Sequence, residues 1–97
     1  MAALLLRLRR RHVGRLRELA EAAWPHEACG LLEGTPDGRV ASLHALRNVH
    51  AEPEHRFAMD PEAYLRLEHA ARARGQSVIG VWHTHPHGDA RPSPRDR

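Results

Sequence analysis

At 97 residues the chain holds one small domain and has no room for a second. Hydrophobic residues at 41% and charged residues at 28% are ordinary for a folded domain and exclude wholesale disorder. A formal charge of +3 is too weak to select nucleic acid over acidic protein partners. The single cysteine, Cys29, excludes an internal disulfide framework and a four-thiolate zinc site.

Aromatic residues are scarce (Trp24, Phe57, Tyr64 and Trp82), so the core has to come from Leu, Ala and Val. All 15 basic residues are arginine, and nine histidines are a high load that points towards metal or proton chemistry. No apolar run reaches the roughly 18–20 residues of a membrane span. The apolar stretch Ala2–Leu6 precedes its arginines, whereas a secretory signal has its positive charge first. An arginine-rich organellar presequence is the lesser alternative; the expected location is the cytoplasm.

In chain order, Leu4, Leu6 and Leu8 alternate with Leu5, Arg7 and Arg9, which suits a short edge strand. From His12 to Ala23 the positions Val13, Leu16, Leu19, Ala20 and Ala23 recur at helical spacing, and Pro25 ends that helix. Ala28–Leu32 reads as a buried strand. Thr35-Pro36-Asp37-Gly38 is a turn signal that predicts a hairpin into Val40–Val49. His50–His55 is polar loop, and Arg56–Met59 reads as another short strand. Asp60-Pro61 pairs an N-cap with proline at the first helical position, and Gly75 is a natural C-terminal cap for the helix that follows. Ser77–Trp82 reads as a buried strand leading into His83-Thr84-His85-Pro86; His87–Arg97 is loop-like.

The chemistry concentrates at that strand end. Residues i and i+2 of a strand share a face, so the imidazoles of His83 and His85 can converge on one ion. The loop that follows is long enough for Asp96 to return as a third ligand. Two histidines and a carboxylate leave a tetrahedral zinc one open position, where bound water has its pKa lowered towards about 7. Glu27, entering the Ala28–Leu32 strand, is the best-placed proton acceptor, since burial tends to raise a carboxyl towards general-base range. Ser93 can donate to a developing oxyanion, or serve as N-cap before Pro94. Alone, the His-x-His pair is weak evidence, because histidines at strand ends are common.

The whole string is more specific. Glu27, His83-Thr84-His85, seven residues from Pro86 to Pro92, Ser93 and Asp96 together resemble the JAMM motif of the MPN-domain (JAB-like) zinc metallopeptidases, small bacterial type. Pro25–Gly34 resembles the glutamate-bearing strand of these proteins, and Asn48, Arg56-Phe57 and Asp60-Pro61 resemble their middle segment. The resemblance implies a mixed α/β (α+β) fold, a cytidine-deaminase-like central sheet flanked by helices. It implies zinc held by His83, His85 and Asp96, with Glu27 as general base and Ser93 supporting the tetrahedral intermediate. The implied substrate is a peptide or isopeptide bond at the C-terminus of a ubiquitin-like protein of the sulfur-carrier type. Because the family domain continues past the aspartate, residues 1–97 are expected to be a single JAMM/MPN-like domain lacking its C-terminal part. Its exposed sheet edge could support a homodimer.

Two other functions compete: a non-catalytic MPN-like protein-binding module, and a RadC-like nucleic-acid-associated protein, which the modest charge disfavours. Among the remaining residues, Cys29 reads as a small buried strand residue and Trp82 as core with its indole N–H near the surface. His26 and His87 read as exposed, and Arg9-Arg10-Arg11 as a solvated face. His12, His44, His50, His55 and His69 have no spacing that recruits them.

Overall fold

A computed structural model describes residues 8–85. Its elements run α1 (Arg10–Ala23), β1 (Cys29–Gly34), β2 (Val40–Leu46), α2 (Pro61–Ala73) and β3 (Ser77–His83). The strands form one antiparallel sheet in the order β2-β1-β3, so β1 is the central strand. This is the mixed α/β architecture expected from the sequence. The strand proposed at Leu4–Leu8 lies outside the described residues except for Leu8, which is exposed.

Central placement explains why every residue of β1 is buried. It pairs with β2 on one edge, Cys29 opposite Leu46, and with β3 on the other, Cys29 opposite His83. The turn Thr35–Gly38 closes the β1–β2 hairpin, with Gly38 at φ 92 where a side chain would be strained. Gly30 faces Trp82 across the sheet, and a Cβ there would come within 2.7 Å of the indole ring. Strand β3 is only half-buried, and its Val81 is exposed, because it forms a sheet edge among the described residues.

Ala28, Leu32, Val40 and Trp82 form the core cluster, covered by Leu16, Leu19 and Ala23 of α1 together with Leu43 and Ile79. The amphipathic stripe read from the sequence therefore packs through its C-terminal half, while Val13 stays exposed. Trp82 is core as expected, but its Nε1 is buried and has no hydrogen-bond partner among the described residues, which corrects the expectation of an N–H near the surface.

Helix α2 begins as the sequence predicts, with the Asp60 carboxylate accepting from Glu62 N–H at 3.2 Å. At its end, Arg74 reaches back to Glu33, which is buried on β1: Nε and Nη2 donate at 2.9 and 2.6 Å, and His44 Nε2 lies 2.8 Å away. An ionised carboxylate only accepts, so His44 donates from Nε2. The Arg74 hydrogen bonds hold the Glu33 carboxyl below its ordinary range; burial opposes this and His44 assists it. This triad ties β2, β1 and the end of α2 together.

Arg56–Met59 is not a strand. The Asn48 side chain takes the Arg56 carbonyl and the Ala58 N–H, while Arg56 N–H donates to the Glu52 carbonyl and the Ala58 carbonyl accepts from Val49 N–H.

Candidate metal centre

The antiparallel register that sets His83 opposite Cys29 continues one residue beyond β3. Thr84 N–H donates to the Ala28 carbonyl at 3.0 Å, and Ala28 N–H donates to Thr84 Oγ1 at 2.8 Å. The residue between the two histidines is thus stitched to the residue after Glu27. His83 and His85 flank that stitch on one face, their rings 4.6 Å apart and edge to face.

Glu27 meets them there. Its side chain is buried, and Oε1 lies 3.3 Å from His83 Nδ1. One potential ligand atom each from Glu27, His83 and His85 falls within 4.8 Å of the others, the only such cluster of three among the described residues. Glu27 Oε1 is fully buried and accepts no hydrogen bond among the described residues. A carboxylate oxygen in that condition needs a cation or a proton nearby to offset its desolvation, so the residues present fit a metal centre. Ser93 and Asp96 lie outside the described residues.

Further residues shape the centre. Phe57 stacks on the His83 ring at 4.4 Å between centroids and 21° between planes. Asn48 Nδ2 donates to the carbonyls of Glu27 (3.0 Å), Pro53 (3.3 Å) and Arg56 (2.9 Å), while its Oδ1 accepts from His50 and Ala58 N–H, both at 3.1 Å. Glu27 N–H in turn donates to the Pro53 carbonyl at 2.6 Å. Beside His85 opens a cleft of about 460 Å³, lined by Ala20, Glu21, Trp24 and Thr84, with Trp24 largely exposed. Cys29 is buried beneath the centre; burial first, and the Glu27 carboxylate second, push its thiol up. That makes it the inert strand residue expected.

Phe57 is marked in the sequence only as part of the Arg56-Phe57 pair that carries the resemblance, and nothing there marks Trp24: an isolated aromatic does not declare which side chain it faces. Asn48 was visible only through the resemblance.

The family described as prokaryotic homologues of the JAB domain matches residues 9–97. The chain belongs to the prokaryotic JAB-domain family. Among individual relatives of this JAB domain, "Desampylase" of Haloferax volcanii is 39% identical over 82 residues, covering 84% of the chain and 59% of the relative. "Probable TtuB-protein conjugate cleaving protease" of Thermus thermophilus is 39% identical over 72 residues, covering 74% and 47%. "Tail tip assembly protein K" of Escherichia phage N15 is 30% identical over 90 residues, covering 93% and 34%. The chain thus spans between about a third and three-fifths of these relatives' length. A solution structure of protein DSY2949 from Desulfitobacterium hafniense superposes with a TM-score of 0.80 at 37% identity, covering 95% of this chain and 64% of that one.

Proposed function

We propose that this JAB domain carries the active centre of a zinc-dependent metallopeptidase that hydrolyses peptide or isopeptide bonds at the C-terminus of a ubiquitin-like protein of the sulfur-carrier type. The observation that carries this reading is the buried Glu27 carboxylate against His83, with His85 beside them. A carboxylate and two imidazoles on one face suit hydrolysis better than a structural zinc site, which closes its coordination with four protein ligands. The relative whose name specifies cleavage of a protein conjugate supports the substrate class.

In this reading His83, His85 and Asp96 hold the metal. Zinc bound there supplies Lewis-acid polarisation of the scissile carbonyl and makes water acidic enough to ionise near neutrality. Glu27 takes the proton of the attacking water at Oε1 and returns it to the leaving nitrogen. Water adds to the carbonyl carbon, the C–N bond breaks, and the products are a carboxylate and an amine. Ser93 donates its hydroxyl to the oxyanion of the tetrahedral intermediate. The cleft beside Trp24 receives the extended tail of the modifier.

The test is metal content and turnover of the wild-type chain and Glu27→Gln, with a lysine-linked conjugate of a ubiquitin-like protein as substrate. About one zinc per chain in both, with hydrolysis only in wild type, is the expected result. A metal-free wild-type chain, or a fully active Glu27→Gln, overturns the reading. Conjugate binding without turnover in added zinc would favour the non-catalytic module.

A further inference from the structure

We infer that Asn48 is a positioning residue whose single carboxamide sets both halves of the centre, the Glu27 main chain and the His83 ring. The inference rests on the reading of Glu27 and His83 as partners in one site, and deepens it. Three carbonyls converge on one end of the Asn48 amide and two N–H groups on the other, so the network fixes which end is nitrogen. The NH₂ group has two hydrogens, so the longer bond to Pro53 shares one of them.

One arm of the network reaches Glu27. Its carbonyl accepts from Asn48, and its N–H donates to the Pro53 carbonyl that Asn48 also contacts. Glu27 precedes β1 and has no ladder partner among the described residues, so these bonds take the place of the sheet in fixing its backbone. The other arm reaches His83. Asn48 bonds the carbonyl of Arg56 and the N–H of Ala58, gripping the chain on both sides of Phe57, whose ring stacks on His83. A carboxamide is required: a group that only donates, or only accepts, would release one set.

The experiment compares the wild-type chain with Asn48→Asp, which keeps the shape and the acceptor but cannot donate, and with Phe57→Leu and Phe57→Tyr. Two readouts need no metal: the exchange rate of the Glu27 amide relative to that of Leu31, and the ring-proton shifts of His83, which lie in the ring current of Phe57. In Asn48→Asp the Glu27 amide exchanges faster, Leu31 does not, and the His83 ring signals lose their shift. Phe57→Leu loses the His83 shift but leaves Glu27 exchange unchanged, and Phe57→Tyr restores it. Zinc affinity falls about tenfold or more in Asn48→Asp and Phe57→Leu, the usual effect of removing a group that orients a ligand. Asn48→Asp with unaltered Glu27 exchange and His83 shifts overturns the inference. Should Asn48→Asp fail to fold, Phe57→Leu with unaltered His83 shifts and zinc affinity overturns it instead. If the wild-type chain binds no zinc, the functional reading fails, while the metal-free readouts still decide the role of Asn48.

Discussion

Thr84 and Ala28 exchange two hydrogen bonds, one through the Thr84 backbone and one through its hydroxyl. The hydroxyl extends the β1–β3 ladder past the last strand residue and holds the second histidine level with Glu27. Thr84→Val keeps the shape and removes the acceptor of a buried N–H, at a cost of about 1–3 kcal/mol. For a domain of this size that lowers Tm by roughly 4–8 °C per kcal/mol, whereas Thr84→Ser melts close to wild type. Thermal unfolding followed by circular dichroism checks both.

Metal binding should be visible as stability. A ligand at a hundredfold excess over its Kd stabilises the folded state by about 2.7 kcal/mol, so zinc raises Tm and a chelator reverses the rise. His85 is exposed, so His85→Ala melts near wild type without zinc but shows no zinc-induced rise. A zinc titration with a melting readout separates the two effects.

Acid sensitivity should trace to Glu33. Its folded-state pKa lies below the ordinary carboxyl value of about 4.3, because Arg74 binds the ionised form. The stabilisation is therefore complete above the unfolded pKa and is lost as pH falls through the folded one. Glu33→Gln should be less stable than wild type at pH 7, and the difference should narrow as the medium is made more acidic. Urea midpoints across that range measure it.

Cys29 should resist alkylation. It is buried with its thiol pKa raised, and Sγ lies 3.6 Å from the Leu46 carbonyl. Iodoacetamide at mildly alkaline pH labels it only after urea unfolding; labelling of the folded chain, read by mass spectrometry, contradicts its placement.

Gly30→Ala should be among the most damaging single changes in the sheet. The added Cβ would fall on the His44 carbonyl oxygen and against the Trp82 ring. Neither can move without breaking the ladder, which puts the cost at or above the upper end of the about 1–3 kcal/mol typical of overpacking. Soluble yield and the urea midpoint report it.

What the sequence disclosed was whatever depends on local pattern. Asp60-Pro61 marked the start of α2, Pro25 followed the end of α1, and alternation along His83–His85 predicted rings on one face. Relationships between distant segments were hidden. Nothing near Glu33 announces Arg74, 41 residues later, and nothing in Arg56–Met59 shows that a side chain takes the place of a partner strand. Trp82 reads as an amphipathic aromatic, yet the small residue opposite it, Gly30, lets the sheet close over its nitrogen. Glu27 could be nominated as a base from its position before a buried strand; its meeting with His83 needed the three-strand order.

The central position of β1 also determines where this chain can change in length. Each of its residues is buried and each edge is paired, so an inserted or deleted residue has no slack to disappear into. A shift of one place would turn Leu31 and Glu33 to the face of Leu32, leave Arg74 without its carboxylate, and draw Glu27 away from His83. Strand β1 acts as the fixed measure from which the position of the buried Glu27 carboxylate is counted.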